Sequence, residues 1–161
     1  MSFLLKAHHC STRFDGLLDR WGYSLLGVLV RVFVGWQFFK AGLVKVQDWQ
    51  ATLSLFREEY SVPLLPPEIA AFLGAGGELI LPIFLLFGLF SRPAALGLFA
   101  VNVMAVVSYP QLRSFECPAA INDHFYWGIL LLILFVKGVG EFSLDSVLQK
   151  RFKMLTGTSN T

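Results

Sequence analysis

The chain has 161 residues, 55% of them hydrophobic and 15% charged, with a formal net charge of +2 and a mean hydropathy of +0.62. Soluble domains run at about 45–50% apolar and about 25% charged, so this shortfall in charge argues against a soluble fold and for a bilayer. The small net charge, with no basic cluster interleaved with aromatics, leaves out a nucleic-acid partner. At roughly 20 residues per span, the length predicts one all-α polytopic domain: a four-transmembrane-helix bundle with no room for a separate soluble catalytic unit.

Residues 1–20 read as a polar N-terminal segment on the cytoplasmic side, with helix starting within Leu17–Leu26. No short apolar core precedes a small-residue cleavage site, so the first span is expected to act as its own insertion signal. Span one runs from Gly22 to Val44. At about 100° per residue, Gly27, Arg31, Gly35, Gly42 and Lys45 fall within an arc of about 80°. Small residues there let another helix approach closely, so Arg31 is expected to point into protein.

Val46–Pro67 is too polar to span. Trp49, Leu53, Phe56 and Tyr60 recur at helical spacing opposite Gln50, Arg57 and Glu58, which predicts an amphipathic helix on the outer surface, between spans one and two. Pro63, Pro66 and Pro67 stop it. Span two, Glu68–Phe90, carries Ala71, Gly74, Glu78 and Pro82 on one face, and Pro82 is expected to kink it. Ser91-Arg92-Pro93 turns into span three, Ala94–Tyr109, with Asn102 at its centre. A loop, Pro110–Asp123, precedes span four, His124–Val136. Residues 21–146 form the membrane domain and 147–161 a basic cytoplasmic tail that frays after Met154.

With the N-terminus inside, the inner segments hold Lys6, Arg13, Arg20, Arg92, Lys137, Lys150, Arg151 and Lys153, against Lys40, Lys45, Arg57 and Arg113 outside. That bias predicts both termini in the cytoplasm. Cys10 and Cys117 then lie on opposite sides of the membrane, too far apart for a disulfide.

Ionisable groups at mid-bilayer are expensive and face a partner or a cavity. At about 1.5 Å per residue from the inner ends, Arg31, Glu78 and Asn102 come out roughly 13, 18 and 15 Å deep. A direct contact between Arg31 and Glu78 on neighbouring antiparallel spans is therefore permitted. Two readings of the pair stand. It fixes helix register without chemistry, or it binds a polar head such as a quinone carbonyl or a small anion, with Glu78 relaying a proton. Lys45 reads either as an anchor reaching to the headgroups or as a guide for an anionic substrate at the outer end. Asn102 reads as an interhelical hydrogen-bond partner more readily than as a ligand contact. No metal site is expected. His8-His9-Cys10 is a weak candidate, short of the four ligands of a tetrahedral site; Cys117 with Glu116, Asp123 and His124 is another, able to hold a metal or exchange disulfides, although a lone loop cysteine is more often incidental.

Several stretches in order resemble the DoxX family of small four-span bacterial membrane proteins. They are Arg31-Val32-Phe33-Val34-Gly35 followed by Lys40-Ala41-Gly42-Leu43-Val44-Lys45; Gly77-Glu78-Leu79 followed by Phe87-Gly88-Leu89-Phe90-Ser91-Arg92; and Gly138-Val139-Gly140-Glu141-Phe142-Ser143-Leu144-Asp145. The resemblance covers residues 25 to 146 and implies a four-helix bundle in the bacterial inner membrane. It also implies a choice of roles: a membrane subunit of thiosulfate:quinone oxidoreductases, a part in oxidative-stress responses, or a companion of copper-handling modified peptides.

No C-x-x-C, H-E-x-x-H, Gly-rich phosphate loop or G-x-S-x-G elbow is present. No histidine lies deep in an expected span, which leaves out a bis-histidine haem. The chain therefore reads as a subunit rather than a complete enzyme, with no covalent cofactor. Its leading role is to bind quinone or a small redox substrate beside Arg31 and Glu78, with a redox partner protein or a second copy completing it. The alternative is a non-catalytic scaffold or accessory protein in redox or copper homeostasis.

Overall fold

A computed structural model describes residue 15 and residues 18–113 and 119–156. His8-His9-Cys10, Glu116 and Cys117 lie outside the described residues. Among those described, the elements are a π-helical turn Leu18–Gly22 and six α-helices: α1 (Tyr23–Gln47), α2 (Trp49–Glu58), α3 (Pro67–Phe87), α4 (Ser91–Ser108), α5 (Ala119–Lys137) and α6 (Leu144–Thr156). A 3-10 turn, Pro110–Arg113, follows α4. Helices α1, α3, α4 and α5 are each long and apolar enough to cross a membrane. Wide exposure of Leu25, Leu29, Phe33, Phe72, Ile80, Ile133 and Val136 is what lipid contact requires.

The four spans close into a ring: α1 packs on α3, α3 on α4, α4 on α5, and α5 back on α1. Val34, Phe38, Leu85, Leu98, Leu131 and Leu134 fill its axis. The chain enters and leaves the ring at one end, called proximal here, where Gly140 meets Ser24. The other end, distal, carries α2 and the α4–α5 connection.

Helix α2 stands between the first two spans as expected, and its apolar face turns onto the bundle: Phe56 packs on Ala70 and Ala71 of α3, with Trp49, Leu53 and Tyr60 around it. Asp48 starts the helix by accepting a hydrogen bond from the Ala51 amide at 2.9 Å. Helix α3 begins at Pro67, whose missing N–H costs nothing there, and runs through Pro82 to the left-handed Gly88. The fourth span starts at Ala119, five residues before the expected His124. The stretch expected as a basic tail from 147 begins inside α6.

Close approach of other backbone to α1 depends on two of its glycines. A Cβ on Gly27 would lie 2.6 Å from the Val139 carbonyl oxygen, and one on Gly42 would lie 2.8 Å from Leu79 Cγ. Gly76, by contrast, has nothing within 4 Å of such an atom. Gly27→Ala is therefore expected to cost about 1–3 kcal/mol by overpacking, while Gly76→Ala is neutral or slightly stabilising. Thermal unfolding of both variants in one detergent checks this, and equal melting temperatures would refute the packing argument.

Candidate functional site

The contact of Arg31 with Glu78 that depth and facing permit does not occur among the described residues. Gly42 lies against the backbone of Glu78, whereas Arg31 lies beside Gly88 at the end of α3. From Arg31 to Gly42 the helix climbs eleven residues, about 16 Å. Counting depth from the end of each span put the two at one level because it assumed that the spans end together. In fact α1 continues past the proximal end of α3. The polar groups divide into a distal and a proximal centre.

In the distal centre Glu78 pairs with Lys45, Nζ to Oε2 at 2.6 Å, with side-chain exposures of 9% and 17% respectively. Lys45 sits in the last turn of α1, and the close packing at Gly42 brings Glu78 within its reach. The ammonium thus turns inward rather than reaching to the headgroups. The Thr52 hydroxyl donates to the Lys45 carbonyl at 2.8 Å and ties α2 to the same corner.

This pair borders an apolar cavity of about 210 Å³ that also touches Phe56, Tyr60, Met104 and Ser108. Ser108 is 1% exposed, and its hydroxyl has no hydrogen-bond partner among the described residues. A buried hydroxyl left unpaired costs about 1–3 kcal/mol, so the cavity offers a polar handle. Tyr60 stacks on Phe56 at 4.7 Å and on Tyr109 at 5.0 Å. Tyr109 donates to Glu59 at 3.1 Å, which pushes its phenol above the usual range. Burial first, then the negative charge of Glu78, pushes the Tyr60 phenol up to about 12.

Asn102 bridges α4 to α5 beside this centre. Its amide nitrogen donates to the His124 carbonyl at 2.8 Å, and its oxygen lies 2.8 Å from His124 Nδ1. Four atoms thus join in a two-point lock. One ring nitrogen of His124 is engaged there, and no group of three His, Cys, Asp or Glu that could hold a metal occurs among the described residues.

The proximal centre is a clasp. Arg31 is 6% exposed, and its Nη2 donates to the Phe142 carbonyl. Its position at the C-terminus of α3 sets a cation at the negative end of a helix dipole. Gly88 (φ +64°) ends α3 in a conformation that suits glycine, and a Cβ there would come 2.6 Å from Arg31 Nη1 and 2.5 Å from Ser143 Cβ. Gly140 (φ +82°) turns the chain against Ser24, whose hydroxyl accepts from the Glu141 amide at 3.0 Å. Asp145 caps α4 from another helix, accepting from the Phe90 amide at 2.8 Å, the Ser91 amide at 2.9 Å and the Ser91 hydroxyl. The segment Gly138–Asp145 therefore fastens the proximal ends of three spans.

Tyr60, Ser108 and Asp145 were not singled out as site residues by sequence reasoning. Tyr60 read only as part of an apolar face, Ser108 carried no periodic signal, and Asp145 stood only within a motif.

Fold and polar centres together define a four-span integral membrane protein with charge held inside the bundle. Residues 26–110 match the DoxX family. A protein of Haemophilus influenzae described as uncharacterized is 33% identical over 132 residues, covering 80% of this chain and 85% of that protein. The chain belongs to the DoxX family. No solved structure matches it.

Removing one partner of a buried ion pair costs about 3–5 kcal/mol, while replacing both with apolar groups is often neutral. Lys45→Met and Glu78→Leu are each expected to destabilise toward the lower end of that range, because Lys45 keeps some exposure, and the double variant less than either. A double-mutant cycle by thermal unfolding checks it; simple additivity would refute the pairing. The raised Tyr60 pKa means that the folded state holds its proton while the unfolded chain, near 10, has lost it. The associated stability is present below pH 10 and disappears as pH rises through about 12. In a phenolate absorbance titration, Tyr60→Phe should remove the component with a midpoint near 12; loss of one near 10 would contradict the assignment.

Proposed function

We propose that this DoxX-family protein is the membrane subunit of an oxidoreductase system, binding the head of a quinone or a small redox substrate in the distal cavity. The observation that carries this reading is the buried, unpartnered Ser108 hydroxyl in an apolar cavity bordered by the Lys45–Glu78 pair. Drug-sized ligand pockets occupy about 300–1,000 Å³. A cavity of about 210 Å³ suits a single ring, with any isoprenoid tail left in lipid.

Bound there, a quinone would supply a two-electron, two-proton acceptor. Lys45 and Ser108 donate hydrogen bonds to carbonyl oxygens of the head. Glu78, 2.6 Å from the Lys45 ammonium, takes up and returns a proton as charge on the head changes. The stacked Tyr60 shields that corner from water. Arg31, which was grouped with Glu78 on sequence grounds, belongs to the clasp in this reading and not to the ligand. A partner redox protein or a second copy completes the electron path. The proximal face carries Arg92, Lys137, Lys150, Arg151 and Lys153, which supports a cytoplasmic orientation of that face in the bacterial inner membrane.

Native mass spectrometry of the protein in native lipid discs is expected to release a bound quinone or a stoichiometric redox partner. Glu78→Gln, which keeps an oxygen for Lys45, should assemble normally and lose quinone-linked activity. A clean oligomer carrying only phospholipid, or full activity in Glu78→Gln, would favour the non-catalytic scaffold instead.

A further inference from the structure

A second cavity lies at the proximal end, remote from the distal one. It is a polar cleft of about 990 Å³ whose walls include Trp21, Ser24, Arg92, Lys137, Gln149 and Lys150. We propose that this cleft binds the phosphate headgroup of an anionic phospholipid.

The charge balance of the cleft carries the argument. Two carboxylates line it: Glu141 lies 2.5 Å from Lys150, and Asp145 caps α4 while keeping its charge, so Arg92, Lys137 and Lys150 leave the lining one positive charge in excess. Arg92 and Lys137 take part in no ion pair among the described residues, and the Arg92 guanidinium lies beside Gly138, next in sequence to Lys137. The buried Arg31 sits behind Ser143, a wall of the same cleft. Its Nε and Nη1 have no acceptor among the described residues. A guanidinium stays charged at any working pH, so its uncompensated charge adds to that of Arg92 and Lys137. An anion in the cleft supplies the missing counter-charge.

Position identifies the anion. Tyr23 opens α1, Arg92 is the second residue of α4 and Lys137 closes α5. The ends of three apolar spans mark the level at which hydrocarbon gives way to headgroups. Trp21, packed on Phe142 at 5.6 Å between ring centres, stands at the rim, where aromatic residues concentrate. The remaining wall is α6, which buries none of its residues against the protein. It exposes Val147, Leu148, Phe152 and Leu155, while Lys150 and Lys153 lie on its polar side. Such a helix rests in a membrane interface and favours anionic lipid. Lipid phosphate is therefore the anion that reaches this cleft at high local concentration.

The test uses the full chain in nanodiscs of equal parts phosphatidylcholine and phosphatidylglycerol, read by native mass spectrometry. Wild type is expected to retain phosphatidylglycerol in preference to phosphatidylcholine. Arg92→Gln with Lys137→Gln should reduce that retention by about 25-fold, since each cation near the surface contributes about fivefold. Arg92→Lys with Lys137→Arg, which preserves charge, should keep it. Lys40→Gln with Arg57→Gln removes equal charge elsewhere and should leave it unchanged. Equal retention of the two lipids, or the same loss in the control pair, would overturn the proposal. Glu78→Gln should retain phosphatidylglycerol whatever becomes of quinone binding, which separates failure here from failure of the distal reading.

Discussion

Lys45 and Glu78 bring opposite charges into a corner of the bundle that lipid surrounds, and the packing nearby follows from the need to keep them together. Either group alone in hydrocarbon would be costly. Their 2.6 Å contact requires α1 and α3 to approach closely, which the absence of a side chain at Gly42 allows. Once that approach is fixed, α2 is drawn over the same corner through Thr52 and Phe56. The small apolar cavity forms where this cover meets α4. One set of atoms thus holds two helices together and borders the cavity.

The opposite end solves a different problem. Three spans finish near one level, each with backbone groups that no helix satisfies. One short segment after α5 satisfies several of them: Asp145 takes the first amides of α4, the Asp145 amide reaches the Gly88 carbonyl at 2.9 Å, and Tyr23 donates to the Gly138 carbonyl at 2.7 Å. Arg31 locks the segment down from beneath. The glycines, serine and aspartate of Gly138–Asp145 are accounted for by this geometry without any catalytic demand.

Much of the fold was legible in the sequence because a bilayer imposes its own arithmetic. Four stretches of sufficient length and apolarity admit little else, and the close-packing face of α1 could be read from spacing, whereas the turn expected at Ser91-Arg92-Pro93 falls at Gly88–Phe90, with Ser91 already opening α4. Span boundaries were less legible: Asn122 and Asp123 look like loop, yet a helix accommodates polar residues near its membrane end. The partner of Glu78 stayed open for a geometric reason, since sequence gives distance along a helix but not the offset between two of them. Helix α6 was obscured because Lys150, Arg151 and Lys153 read as a tail, although Leu144, Val147, Leu148, Phe152 and Leu155 recur at helical spacing. Ser108 could not have been found, because nothing local distinguishes an orphaned hydroxyl from one bonded within its own helix.

The cap on α4 comes from a residue fifty-four positions further along the chain. During synthesis the N-terminus of α4 enters the membrane well before Asp145 leaves the ribosome, so for that interval its first amides depend on water, lipid headgroups or an insertion factor. The third span is consequently without this cap until Asp145 has emerged. Quality control in the cell then acquires a simple checkpoint: a chain stopped after its fourth span, however well inserted, still lacks the residue that closes the bundle.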